Sequence, residues 1–329
     1  MKRISSFFLP LVMLAFSHFS LANTAPAPLP SWNNTDIKKQ IVEYVSTVTQ
    51  EGNEHFIPVS DRIATFDNDG TLWGEKPVYF QIYFAIDQIK AQAKNHPEWK
   101  TEEPFASAIK GDIEGISKSG MEGIAKLILT SHSGMTTQEF EATVKEWIKT
   151  ARHPVTKRPF NKMIYQPMVE LLSYLQDNNF KTYIVSGGGV EFMRAWAPEA
   201  YNIPKEQIFG SSLKTEYKIV DGKPVIMRLP EIGVNNDKAQ KPSTIQTYIG
   251  KKPVIAGGNS DGDLEMLQWT KSSSHPTLAI LVHHTDDKRE WAYDKDSSVG
   301  HLEKAMILAE KDKWNVVDMK KDWNQIFPK

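Results

Sequence analysis

The sequence predicts an α/β fold: a doubly wound parallel sheet carrying an inserted helical cap. Three short apolar runs each break into a polar, glycine-containing loop: Ile63-Ala64-Thr65-Phe66 before Asp67, residues 181–185 before Ser186, and residues 253–256 before Gly257. Helical patterns at residues 168–176, 190–196 and 264–269 alternate with these runs, as expected for a parallel sheet with helices on its faces. In such a sheet the loops that follow the strands share one edge, and ligands bind there.

Taken in order, the elements begin with a leader. Lys2 and Arg3 precede an apolar run at residues 7–19, and Ser20-Leu21-Ala22 places small residues at −3 and −1, so residues 1–22 read as a signal peptide cleaved after Ala22. Broken by Pro10 and His18, the run falls short of the roughly 20 residues of a spanning helix. A periplasmic or secreted protein without a stable membrane anchor is expected. Ile37, Ile41, Tyr44, Val45 and Val48 recur at helical spacing after Asp36, predicting an amphipathic helix over residues 36–50.

After the first polar loop, residues 75–164 contain helical stretches at 79–94, 121–129 and 138–150, too long a stretch for a simple crossover. This is the expected cap, leaving residues 23–74 and 165–329 for the α/β core. Around Asp221-Gly222, β-rich runs over residues 208–229 predict a hairpin. The tail adds a strand at 277–282, a helix at 302–311 and the apolar pair Val316-Val317.

Composition removes several function classes. With 39 basic and 40 acidic residues the formal net charge is −1, so there is no general field for nucleic acid. Cys is absent, which excludes disulfides, thiolate nucleophiles and thiolate metal sites.

The chemistry sits at the strand ends. Asp67 and Asp69 are one residue apart on extended backbone, so their side chains share a direction. One carboxylate can attack phosphorus while the other protonates the leaving oxygen and later activates water. Two such neighbouring charges are stable only if a cation neutralises part of the cluster or one carboxyl group stays protonated, and a metal is expected. Oxygen ligands favour Mg²⁺, held directly by Asp67 and by the backbone carbonyl of Asp69. Ser186, with Gly187, Gly188 and Gly189 before a helix, suits a phosphate oxygen. Lys238 and Lys241 are each placed to balance the charge. Asn259, Asp261 and Asp263 place oxygen side chains at alternate positions, suitable for a metal shell.

In order, Phe66-Asp67-Asn68-Asp69-Gly70-Thr71, Ser186-Gly187-Gly188-Gly189, Lys241-Pro242 and Gly258-Asn259-Ser260-Asp261-Gly262-Asp263 resemble the four motifs of the haloacid dehalogenase-like phosphatases, over about residues 60–285. The Glu170-Leu171-Leu172 run is similar to the phosphoserine-phosphatase-like branch, here of an exported bacterial type. The resemblance implies that Asp67 is the nucleophile, Asp69 the general acid and base, Ser186 with Gly187 the phosphate binder, and Lys241 rather than Lys238 the balancing lysine. It implies a phosphatase rather than a dehalogenase or phosphonatase, because those generally lack an acid at the position of Asp69. Asn259 stands where many members carry a metal-binding Asp. Either it binds with Asp263 in support, or Asp261 shifts into the role; the assignment taken is Asp67, Asp69, Asn259 and Asp263 around Mg²⁺.

The expected activity is hydrolysis of a small phosphomonoester through an aspartyl-phosphate. Phosphotransfer from the same intermediate and non-catalytic binding of a phosphorylated ligand are the alternatives. Aromatic residues Trp73, Tyr79, Phe80, Tyr83, Phe84, Trp99 and Trp147 could cage a quaternary ammonium, but their helical spacing favours core packing. The pair His283-His284 is expected to end a strand.

Overall fold

The computed structural model describes residues 28–329; the expected leader lies outside the described residues. In chain order the regular elements are α1 Asp36–Thr49, β1 Ile63–Phe66, α2 Phe80–Gln92, α3 Phe105–Lys110, α4 Ile113–Lys118, α5 Gly120–His132, α6 Thr137–Thr150, α7 Gln166–Asp177, β2 Lys181–Gly189, α8 Val190–Arg194 and α9 Ala197–Tyr201. They continue as β3 Ile208–Val220, β4 Lys223–Val234, α10 Gln240–Tyr248, β5 Ile255–Gly258, α11 Leu264–Lys271, β6 Leu278–Thr285, β7 Ala292–Tyr293, α12 Lys304–Lys311, β8 Asn315–Asp318 and α13 Met319–Asp322.

Strands β3, β2, β1, β5, β6 and β8 pair in that order, all parallel. Antiparallel β4 and β7 attach to β3 and β6. The chain winds outward from β1 through β2 to β3, then returns and winds the other way from β5. The switch point therefore lies between β1 and β5, and the crevice beyond their carboxyl ends is the expected ligand site. Both strands are buried along their whole length, because helices cover both faces.

Alternation along the strands builds these two faces. Ile184, Ile255 and Ile280 point into a core with Ile41 and Val45 of α1 and Leu171, Leu172 and Leu175 of α7. Their neighbours Val185, Ala256 and Leu281 point the other way, onto Ile245 of α10, Met266 and Leu267 of α11, and Ala305 and Ala309 of α12.

Helices α2 to α6 form the insertion. Its aromatic residues pack as a core: Phe84 meets Phe140 and Trp147 edge to face at 5.7 and 5.4 Å, and Trp147 stacks on Phe160 at 5.0 Å. Trp73 stacks on Trp196 of the α/β core at 4.1 Å. Of the cage candidates only Tyr79 is exposed, at 40 %, so a closed aromatic cage does not form from this set.

The hairpin runs five residues beyond the expected end, to Val234. Positive φ at Asp221 and Gly222 gives the turn the twist that antiparallel strands favour. The ribbon also reaches the cap: Arg228 N donates to Met135 O and Gly134 N donates to Arg228 O, both at 3.0 Å. It thereby ties the turn between α5 and α6 to the core. Among the described residues no helix is long and apolar enough to cross a membrane.

Candidate active site

The site starts where β1 stops. Asp67 N donates to Gly257 O at 2.9 Å, one last rung between β1 and β5. The chain then folds back: Thr71 N, Leu72 N and Trp73 N all donate to Asn68 O. Gly70, with φ +74°, makes this turn, and a Cβ there would lie 2.1 Å from Asn259 Nδ2, so no larger residue fits. Asp69 is held by Trp73, whose indole Nε1 donates to Asp69 Oδ1 at 2.8 Å.

Lys241 lies in the first turn of α10 and is 1 % exposed. Its Nζ is 2.6 Å from Asp263 Oδ1 and 2.9 Å from Asp67 Oδ1. Burial alone would lower its pKa; Asp263 and Asp67 outweigh this and hold it above the ordinary lysine value, so it is charged. Lys238 is exposed. The structure thus brings Lys241 to the acids and leaves Lys238 outside.

Ser186 is buried, and its Oγ accepts from Gly188 N at 3.1 Å. The strand differs from expectation here: β2 continues through Gly189, with a register shift after Val185. Gly187, Gly188 and Gly189 are therefore extended backbone rather than a loop of free N–H groups. Gly188 N is taken by Ser186, and Gly189 N donates to Gln81 Oε1 at 2.8 Å. Gly188 packs against Asp69, since a Cβ there would lie 2.9 Å from Asp69 Oδ2.

The third loop separates its three oxygen side chains. Asp261 accepts from Glu303 N, Lys304 N and Ala305 N at 2.9–3.1 Å, capping α12, and that duty removes it from the metal role considered for it. Asp263 Oδ1 is taken by Lys241, and its Oδ2 accepts from Asn259 N at 2.9 Å and Ser260 N at 3.1 Å. With both oxygens engaged, Asp263 anchors the lysine and the loop. Asn259 Oδ1 accepts from Thr71 Oγ1 at 2.9 Å and keeps a second lone pair.

Asp67, Asp69, Glu75, Ser186, Gly187 and Lys241 line one end of a cavity of about 410 Å³. The other end is apolar, formed by Ile124, Ile128 and Leu129 of α5 with Leu213 and Ile232 of the hairpin. Arg228 there pairs with Glu191 and lies over the Phe140 ring at 3.8 Å.

Three residues here escaped the sequence reading. Glu75, 1 % exposed, accepts from Asn259 Nδ2 and from Tyr293 OH. Asn236 Nδ2 donates to Ser186 O, and Thr244 Oγ1 donates to Asn236 Oδ1, linking the serine to the helix that carries Lys241. His284 ends β6 as expected and contacts Gly70 O at 2.7 Å.

Asp67 and Asp263 thus face one buried ammonium, with Asp69 in its field, while Glu75 lies beside Lys76 and His284. Burial, with Asp263 next, raises Asp67 above the ordinary carboxylate range. Burial likewise pushes Asp69 up to about 6 and Glu75 up to about 7. The excess of oxygen donors fits a hard cation: Asp67 Oδ1 faces Lys241 without an aligned hydrogen bond, and Asn259 offers an amide oxygen. Among the described residues no three His, Asp or Glu side chains group as a metal cage. Mg²⁺ needs only one or two protein carboxylates.

These shifts set a pH dependence. Carboxyl groups with raised folded pKa values bind more protons folded than unfolded over the interval between the two values. Their contribution is full below about pH 4 and is lost as pH rises through about 6 for Asp69 and about 7 for Glu75. The loss amounts to at most about 3 kcal/mol per group. The melting temperature in EDTA is expected to carry this decline, and saturating Mg²⁺ to reduce it; a pH series of melts in EDTA and in Mg²⁺ checks both.

An aspartate pair at the switch point, a buried lysine and a covering helical insertion define a capped hydrolytic enzyme on a doubly wound α/β sheet. The family model described as haloacid dehalogenase-like hydrolase matches residues 64–268, and the chain belongs to that family. Members of this superfamily commonly use Mg²⁺. No curated protein matches the chain. Among solved structures, a conserved, functionally unknown protein from Anaerococcus prevotii is 17 % identical, with 76 % of this chain and 86 % of that chain covered and a TM-score of 0.51. A protein of unknown function from Bordetella pertussis is 15 % identical, with 78 % and 98 % covered and a TM-score of 0.49. A phosphoserine phosphohydrolase-like protein from Francisella tularensis is 18 % identical, with 79 % and 95 % covered and a TM-score of 0.41.

Proposed function

We propose that the chain is an exported, Mg²⁺-dependent phosphomonoester hydrolase that works through an aspartyl-phosphate on Asp67. The observation that carries this reading is the contact of the Asp67 carboxylate, at the switch point and in the cavity wall, with the buried Lys241 ammonium at 2.9 Å. A carboxylate held against a fixed positive charge is oriented for attack and can receive an anionic phosphoryl group.

In the first half-reaction a bond forms between an Asp67 carboxylate oxygen and phosphorus, while the bond from phosphorus to the leaving oxygen breaks. Asp69 gives its proton to that oxygen. Its pKa of about 6 lets it hold a proton near neutrality and then act as base. In the second half-reaction Asp69 takes a proton from water, the water oxygen attacks phosphorus, and Asp67 and phosphate are released. Lys241 offsets the phosphoryl charge throughout, and the Ser186 hydroxyl donates to a phosphoryl oxygen. Bound Mg²⁺, held by Asp67, the Asp69 carbonyl and Asn259 with Asp263 in support, would supply Lewis-acid charge stabilisation. The leader pattern in residues 1–22 supports action outside the cytoplasm.

The apolar end of the cavity supports a substrate class. Arg228 and Glu191 pair with each other, so the organic part meets Ile124, Ile128 and Leu129 rather than free charges. Small aryl or short-alkyl phosphates are expected to exceed glucose 6-phosphate and nucleotides in kcat/KM by about tenfold or more, and Ile128→Asp to narrow that gap. Sugar phosphates turned over as well as aryl phosphates would defeat this assignment. The class itself is tested by phosphate release from p-nitrophenyl phosphate with and without Mg²⁺; no release with any divalent metal would count against hydrolysis.

A further inference from the structure

Asn259 raises a question of charge. It is the side chain at the end of β5 nearest the first loop, touching Thr71 and Gly70, and as an amide it brings no charge to a cation. The carboxylate next to it comes instead from the start of the cap segment. Glu75 Oε1 accepts from Asn259 Nδ2 at 2.8 Å and from Tyr293 OH at 2.7 Å.

Three elements are shaped around that carboxylate. At Gly70, φ +74°, a Cβ would lie 2.4 Å from Glu75 Oε1; at Gly300, φ +67°, it would lie 2.1 Å away. Both turns therefore depend on glycine to let the backbone approach Glu75. Tyr293, which donates to it, is stacked on His284 at 4.3 Å, and His284 Nε2 lies 2.7 Å from Gly70 O. Glu75 is thus bonded to the β5 loop and to the segment after β6, packs against the first loop at Gly70, and lines the cavity.

A simple capping role would be met by a neutral acceptor such as Gln, without placing a carboxylate near Asp69. A buried carboxylate beside Asp69 costs stability unless positive charge balances it; Lys76 and His284 supply part of that balance, and a bound cation would supply the rest. From this geometry we infer that Glu75 is the positioning residue of the cation site: it supplies the negative charge that Asn259 lacks and fixes the amide. With Nδ2 held by Glu75, Oδ1 accepts from Thr71 and would be the atom left to hold a cation. Outer partners of metal ligands act in this way, by orienting the ligand and raising its donor strength. The inference rests on the cation-dependent reading of the site but not on which ester is hydrolysed.

The test is direct Mg²⁺ binding by calorimetry to the full mature chain, with folding checked by near-UV circular dichroism. Glu75→Gln is expected to weaken Mg²⁺ by about 10- to 100-fold. Asn259→Asp alone sets two carboxylates at the 2.8 Å contact and is expected to lower the melting temperature in EDTA. The double variant Asn259→Asp/Glu75→Gln moves the charge across the hydrogen bond and is expected to recover Mg²⁺ affinity to within about threefold of the parent, a swap that a purely structural glutamate would not permit. If Glu75→Gln does not fold, the double variant decides alone, and failure to recover affinity overturns the inference. Unchanged affinity in a folded Glu75→Gln, or no Mg²⁺ binding by the parent, also overturns it. Mg²⁺ binding that follows Glu75 in a protein inert toward every phosphomonoester would sustain the inference and sink the phosphatase reading.

Discussion

Asp67→Asn is expected to lower phosphate release by about four orders of magnitude or more, the scale seen when an enzyme loses a covalent nucleophile, while leaving a folded protein. The amide is nearly isosteric, so the rung from Asp67 N to Gly257 O and the packing of β1 are retained. What disappears is the oxygen that bonds to phosphorus. The same change removes one charge from a cluster in which burial and Asp263 already press Asp67 toward its neutral form. In EDTA above neutral pH the variant is therefore expected to melt higher than the parent, an active-site residue trading stability for function. Loss of activity with a raised melting temperature separates removal of the nucleophile from unfolding. Substantial residual turnover would instead assign the attack to water and defeat the aspartyl-phosphate.

The parts of this site legible in the sequence are those carried by local pattern. Residues 63–66 read as a strand because a short β-leaning run, Ile63, Ala64 and Phe66 around Thr65, precedes a polar loop, and their burial on both faces matches a central strand of a parallel sheet. Asp67 and Asp69 read as partners because strand geometry alone aligns positions two apart, and both line the cavity. Glu75 was not legible. Its partner Asn259 is 184 residues away, and the stretch around it has neither helical nor strand periodicity. The same holds for Asn236, whose link to Ser186 exists only once β2 and the segment before α10 are side by side. The three glycines after Ser186 misled in a different way. Glycine marks a turn in most local contexts, but here β3 pairs alongside and keeps the backbone extended to Gly189, tertiary pairing overriding local preference. The cap aromatics followed the more ordinary rule: rings at helical spacing bury one another, and of the seven cage candidates only Tyr79 lines the cavity.

Replacement of Lys241 by Met should have a cost in stability that depends on pH. The aliphatic stem has a close counterpart in Met, so little packing is lost, but Asp67 and Asp263 lose the ammonium at 2.9 and 2.6 Å. Removing one partner of a buried ion pair costs on the order of 3–5 kcal/mol, because the remaining charge has neither water nor a counter-ion. Protonation is the escape. At pH 5.5 a carboxyl group in a cluster already raised by burial and by its like-charged neighbours can take up a proton and shed much of that penalty; at pH 8 it must do so against a larger free-energy difference. Urea unfolding of Lys241→Met is therefore expected to show a deficit against the parent that grows from pH 5.5 to pH 8, with Mg²⁺ recovering part of it by restoring positive charge. An equal deficit at both pH values would mean that the lysine acts through its packing. Turnover should fall in either case, since the phosphoryl group would reach Asp67 with no fixed cation to receive it, and metal could restore stability without restoring that alignment. A variant that regains its melting temperature in Mg²⁺ yet remains slow would separate the two duties of Lys241: balancing the resting acids and receiving the transferred phosphate.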